Sequence, residues 1–363
     1  PPRSTLFPYT TLFRSFELKK PYRKNWQDFL SSHQKLVGWI IIGLFFLACY
    51  SLSSYVGKWL LSSDVSSDIS QLLTTLQDFL TLTLSVVVEA TPFLILGIIT
   101  SSLIRRFLPP SRLLKILPKQ PIVRRILISI SGMALPVCEC GNVPVARSLL
   151  ASGFKPADVI SFLFAAPILN PITIITTMTA FSFEPRMVWW RVIFALLIVQ
   201  ITALIVSFMK EDKVINSAFQ KYCENHANER SVRSIISSTR NEFWQLFTML
   251  VVGAMIAAAI QIFVPRSIIN ALGTDPIFSV IAMISLGFVV SICSSIDAFF
   301  ALAYANTFTI GSLLSFLLAG PMIDIKLIML MKTTFTTRFI AIVMTIIFIL
   351  SLIIGVGVNI YVS

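Results

Sequence analysis

Between Gly132 and Pro171 the chain reads GMALPVCECGNVPVARSLLASGFKPADVISFLFAAPILNP, setting two cysteines, a glutamate, an asparagine and an arginine among apolar runs. Cys138 and Cys140 flank Glu139, and sulfur at that spacing is a soft ligand suited to trivalent arsenicals, Cu(I) or Hg(II). Polar groups and helix-breaking prolines are costly at membrane depth and are kept there for a solute path or a site. A weaker copy runs from Gly287 to Lys326, GFVVSICSSIDAFFALAYANTFTIGSLLSFLLAGPMIDIK. Gly132 and Cys138 match Gly287 and Cys293 at equal spacing, and Ser161-Phe-Leu-x-Ala-x-Pro167 matches Ser315-Phe-Leu-x-Ala-x-Pro321. A two-fold relation between the copies would bring the sulfur of Cys293 toward the other two.

Other polar groups cluster around the same breaks. Glu139, Asn142, Arg147, Ser294, Asp297 and Asn306 lie beside the cysteines of the two copies. Asn170 and Asp324 each follow a helix-interrupting proline, Pro167 or Pro321, by about one turn. Arg147 has a second reading, as a side chain that snorkels to the surface. Lys326 is placed either to neutralise Asp324 or to reach the inner face. Asp297 has no basic neighbour in sequence and reads as an ion carrier, and Glu89, an acid inside an apolar run, reads either as a second carrier or as a helix-packing hydrogen-bond partner. The candidate substrate-binding set is therefore Cys138, Glu139, Cys140, Asn142, Asn170, Cys293, Ser294, Asp297 and Asp324, with Glu89 and Asp297 for ion coupling. Cys49 and Cys223 read as incidental, and no metal is expected beyond soft-ligand binding at Cys138, Cys140 and Cys293. No cofactor is expected.

The elements that must hold these residues are membrane helices. Apolar residues make up 56% of the 363 residues and charged ones 13%, with a mean hydropathy of +0.84, which describes a polytopic chain dissolved in lipid. The net charge of +12 sits in Lys and Arg beside apolar runs, where it reports orientation and is not the footprint of a nucleic-acid partner. Five cysteines in so large and apolar a chain make no secreted disulfide framework. There is no GxxxxGK[ST] phosphate loop, no HExxH and no Ser/His/Asp arrangement, so neither ATP coupling within the chain nor catalysis is expected.

Residues 1–15 fit neither a targeting peptide nor a span and read as non-native. Residues 16–78 hold a basic segment and a first span from about Leu36 to Leu61, which puts the N-terminus in the cytoplasm by the positive-inside rule. A span from about Phe79 returns to a loop bearing Arg105, Arg106, Arg112, Lys115, Lys119, Arg124 and Arg125. The Cys-Glu-Cys segment after it, interrupted by Pro136, Gly141 and Pro144, either crosses once or enters and turns back. The hairpin makes residues 210–242, with six basic and five acidic residues, a cytoplasmic loop. It also makes residues 79–209 and 243–363 repeats of opposite orientation. The fold expected is thus all-α, with two inverted repeats that each contain a broken or re-entrant helix pair, as seven full spans plus two hairpins or as nine spans. Leu94, Gly97, Phe107 and Pro109 match Leu250, Gly253, Phe263 and Pro265 at an offset of 156 and extend the repeat backward.

At PVCECGNVPVA, FLFAAPILNP, CSSIDAFFAL and FLLAGPMID the chain resembles the bacterial predicted-permease family that includes the organoarsenical efflux permease ArsP. The resemblance runs from about Phe79 onward. It implies a multi-pass permease of the bacterial inner membrane, with Cys138 and Cys140 at the positions implicated in trivalent organoarsenical export. The family commonly has serine between them where this chain has Glu139, and a carboxylate there suits a cation or a proton-coupled solute. The function expected is a secondary transporter of a small solute, such as a thiophilic metalloid or metal species. The alternative is a non-transporting membrane subunit that docks a partner through residues 210–242. The partners expected are the lipid bilayer and the solute, with room for a second copy of the chain or a partner membrane subunit.

Overall fold

The computed structural model describes residues 67–107, 117–118, 120–134, 138–209, 211–226, 232–263 and 276–362. Residues 1–15, the first span, Cys49 and Pro136 lie outside the described residues. The first half comprises α1 (Ser67–Phe107), α2 (Pro121–Ser131), α3 (Glu139–Ala151), α4 (Pro156–Leu169), α5 (Pro171–Ala180) and α6 (Arg186–Ser207). Two short helices, α7 (Glu211–Val214) and α8 (Ser217–His226), lead to the second half. That half comprises α9 (Val232–Phe263), α10 (Phe278–Val290), α11 (Asp297–Leu302), α12 (Ile310–Ala319), α13 (Ile325–Met331) and α14 (Thr337–Val362).

The protein is an all-α polytopic membrane protein. Within α1, α6, α9 and α14 lie helices long and apolar enough to cross a bilayer, and α4 with α5, bent by 41° at their break, makes a fifth. Two boundaries differ from the sequence reading. α1 begins at Ser67, before Phe79, and α9 begins at Val232, inside the stretch assigned to a loop. Hydropathy marks only the lipid-facing part of a helix, and 41 residues at 1.5 Å each run about 60 Å, twice the hydrocarbon thickness.

The first broken segment re-enters. Arg124 and Arg125, at the start of α2, pair with Asp158 at the start of α4, the shortest contact being 2.9 Å. Farther along, Ser129 donates to the Ser161 carbonyl, and Gly132 lies against Ala166. Contacts that advance together mean that α2 and α4 run parallel and start at one level, so α3 carries the chain back to the side it entered. The second half repeats this. Ser279 meets Thr309, and Gly287 lies against Phe316 and Gly320, so α10 and α12 are likewise parallel and α11 is the return. The entering helices, of 11 and 13 residues and so about 17 and 20 Å long, are each too short to span a core of about 30 Å.

The halves are inverted relative to each other. α1 packs on its counterpart α9 with Ser102 beside Thr239 and Val87 beside Val251 and Ala254, so the two helices are antiparallel. Arg186, opening α6, lies within electrostatic range of Tyr361 near the end of its counterpart α14. Exchanging each helix for its counterpart reproduces most of the packing. α2 on α4 becomes α10 on α12, α4 on α6 becomes α12 on α14, and α3 on α13 becomes α11 on α5. One departure stands out. The 13-residue α3 lies along α1, whereas α11 has only six residues and α13 fills the matching groove on α9.

Candidate functional site

The two arms are turned at their tips in the same way. The Cys138 carbonyl accepts from the amides of Gly141 and Asn142, and the Cys293 carbonyl accepts from those of Ile296 and Asp297. Cys138 is thus the half-helical residue that opens α3, whereas Cys293 opens the turn that leads through Ile296 into α11. Before Cys293 the backbone passes through Ser291 at φ 51°, a left-handed conformation that ends α10. Its hydroxyl accepts from the amide of Ile325, which ties this tip to the break between α12 and α13.

The sulfurs converge. Cys138 lies within electrostatic range of Cys140 on its own arm and of Cys293 on the other, and all three are buried, free cysteines. A sulfur of Cys138, a sulfur of Cys140 and a carboxylate oxygen of Glu139 all lie within 4.8 Å of one another. Around them stands a ring of charge. Lys326, from α13, places its ammonium 3.4 Å from Glu139 and 3.7 Å from Asp324. Glu89, on α1, lies within electrostatic range of Lys326, Glu139 and Cys293. One ammonium therefore faces two carboxylates in direct range, Glu139 and Asp324, with Glu89 farther off. Several buried polar atoms here have no hydrogen-bond partner among the described residues: Glu139 Oε2, both side-chain ends of Asn142, Ser294 Oγ and Asp324 Oδ2. Buried polar groups are ordinarily satisfied, so such a cluster points to a place where water or a ligand belongs.

Asp297, which has no basic neighbour in sequence, has one in space. Its carboxylate is held by Arg191 of α6 at 2.5 and 3.1 Å, and Arg191 also donates to Thr177. Arg147 does not snorkel. It is 1% exposed, 3.4 Å from Glu242, and donates to Thr333 and Gln245, with its guanidinium over the Phe219 ring. Each arm is thus pinned to the opposite half by one buried guanidinium–carboxylate pair. Asn170 and Asp324 both cap the second helix at a break, accepting from Ile172 and Leu327, and Asp324 alone reaches the charged ring. Asn306 is exposed and lies outside the cluster, and Cys223 is half-buried away from it.

Sequence reasoning passed over Arg191 and Glu242 and left Lys326 between two readings. Arg191 was detectable, because an arginine several residues inside an apolar helix demands a partner. The partner was not, since Asp297 lies 106 residues away in the chain.

Two inverted arms that meet at polar tips inside a multi-pass bundle define a membrane permease of the discontinuous-helix class. The chain belongs to the ArsP_1 family, described as predicted permeases, which residues 75–360 match. It is 34% identical over 261 residues to a protein of Streptococcus mutans serotype c named as a candidate subunit of a two-component membrane permease complex, covering 71% of this chain and 87% of that protein. It is 32% identical over 265 residues to the UPF0718 protein YcgR of Bacillus subtilis, covering 72% of this chain and 90% of YcgR. No solved structure matches it.

Proposed function

We propose that this permease is a secondary transporter of the bacterial cytoplasmic membrane that carries a small thiophilic solute, such as a trivalent arsenical or a soft metal ion, between the tips of the two arms. The observation that carries the reading is the buried cluster of Cys138, Glu139 and Cys140, whose ligand atoms lie within 4.8 Å of one another, with Cys293 of the other half within electrostatic range of Cys138. Cysteines that merely fill space need no such meeting across an internal symmetry axis, whereas a soft solute held midway needs sulfur from both sides. Glu139, Asn142, Ser294 and Asp324 supply polar contacts, Glu89 carries the coupling proton or ion, and Asp297 with Arg191 positions the second arm. Asn170 acts through the bend that it caps. The N-terminus and residues 210–242 face the cytoplasm, as the basic loop between α1 and α2 supports.

The test is growth of an efflux-deficient bacterial host on trivalent organoarsenicals, arsenite, Cu(I) and Hg(II), expressing the wild type, Cys138→Ser or Cys293→Ser. The wild type is expected to protect against at least one compound and both variants to lose that protection. Equal growth of all three strains on every compound would overturn thiol coordination.

A second reading keeps the chain in the membrane without transport of its own, as a subunit that docks a partner. What favours it is the name of the Streptococcus mutans relative, which places that protein in a two-component complex. Residues 210–242 are the natural interface, although part of the stretch is already engaged: Ile215 bridges to Phe335, and Phe219 is buried beneath Arg147. Transport by the purified chain alone in proteoliposomes removes this reading. Transport only after a second subunit is added supports it.

A further inference from the structure

Resting on the cytoplasmic placement of residues 210–242, we infer that the linker between the two halves is a gate: α7 and α8 form a strap that closes the inner end of the solute path and lifts to open the arm tips to that side. The strap is fastened by its backbone to the turn that follows α13. The Asn216 amide donates to the Thr334 carbonyl and the Thr336 amide to the Val214 carbonyl, both at 2.9 Å, which makes the antiparallel bridge between Ile215 and Phe335. Thr336 Oγ1 donates to the Lys213 carbonyl at 2.6 Å, and Asn216 Nδ2 to the Lys332 carbonyl at 3.2 Å. Val214 and Phe219 are buried, while Lys213, Ser217 and Ala218 are exposed. A connection that only joined two halves would run over the surface and need no such apolar underside.

What the underside covers is the buried cation of the first arm. The Arg147 guanidinium lies 5.1 Å from the centre of the Phe219 ring, donates to Thr333 at 2.7 Å and to Gln245 at 3.2 Å, and stands 3.4 Å from Glu242. This layer draws on α3, α8, α9 and the turn after α13. Arg147 follows Glu139 along α3 by about 12 Å, toward the side at which the arm entered. The layer therefore stands between the charged ring at the tips and the strap, and Glu139, Arg147, Phe219, Glu242 and Thr333 are all buried. Lifting the strap exchanges one partner of Arg147 for another. Closed, the guanidinium rests on an aromatic face that attracts it, and open, water takes that face. Neither state strands an unpaired buried ion, which is what an element with two populated positions requires.

The test needs no solute, so it stands apart from thiol transport. Residues that face each other across such a bridge have Cα atoms about 4.5 Å apart, within disulfide reach. Ile215→Cys with Phe335→Cys is made in a Cys49→Ser/Cys223→Ser parent, and inside-out membrane vesicles are treated with a membrane-impermeant maleimide. Labelling is read at Cys138 and Cys140 by peptide mass spectrometry. Oxidation of the new pair is expected to abolish this labelling and a reductant to restore it, and Phe219→Ala in the parent is expected to raise it several-fold. Equal labelling with the pair open and closed, or none in any variant, overturns the gate and leaves the thiol transporter standing. If the closed pair blocks labelling only in right-side-out vesicles, the cytoplasmic placement fails and the gate with it. Should the cysteine pair not fold, Phe219→Ala decides alone: faster labelling than the parent supports the strap, and equal labelling overturns it.

Discussion

Lys326 joins the two halves at the level of single side chains, because its ammonium from the second half sits against Glu139 of the first and against its own neighbour Asp324. Breaking a buried pair by removing one partner leaves a charge stranded and costs about 3–5 kcal/mol. Lys326→Met is therefore expected to lower the unfolding temperature of the purified protein in detergent. Adding Glu139→Gln to that variant should recover part of the loss, because one stranded carboxylate is then gone. The three cysteines were legible from the sequence, since their spacing repeats and sulfur beside a carboxylate is rare in lipid. The cation they face was not, because a lysine five residues before the end of an apolar run reads equally well as an anchor at the surface.

At the level of elements, small residues set how closely the arms lie on their neighbours. A Cβ added to Gly132 would come 2.6 Å from the Cα of Ala166, and one added to the matching Gly287 would come 3.4 Å from the Cα of Gly320. The repeated glycines thus do the same work in both halves, which is why this part of the alignment was visible in one sequence. Gly132→Leu is expected to push α2 off α4, with an overpacking cost of about 1–3 kcal/mol and loss of transport, read in proteoliposomes. Gly287→Ala, which meets only ordinary or slightly tight contacts, should be far milder. The pairs that pin the arms were hidden, because they join residues from opposite halves. Asp297→Asn leaves Arg191 without its counter-charge and is expected to destabilise the second arm by about 3–5 kcal/mol. Replacing both by apolar residues of similar size should be closer to wild type in thermal unfolding.

Across the whole molecule, the antiparallel packing of α1 on α9 fixes the halves as an inverted pair, so the two arms enter from opposite faces. Lys155 and Asn306 are both exposed, one beyond the return of each arm. In a background without other cysteines, Asn306→Cys in intact cells is expected to react with a membrane-impermeant maleimide, and Lys155→Cys only after permeabilisation. Labelling of both from one side would contradict the inverted arrangement. Charge bias is the sequence feature that suggests this orientation, because the basic loop between α1 and α2 has no acid to offset it. The unequal return helices had no such signature, since six helical residues and a following turn share their apolar composition with thirteen. One contact carries a mechanical consequence. The Ser291 hydroxyl holds the amide of Ile325, one residue from Lys326, at 3.3 Å. A swing of the second hairpin is therefore expected to move the charged hinge tied to it, so that in the proposed transport cycle solute release and rearrangement of the counter-ion come as one motion.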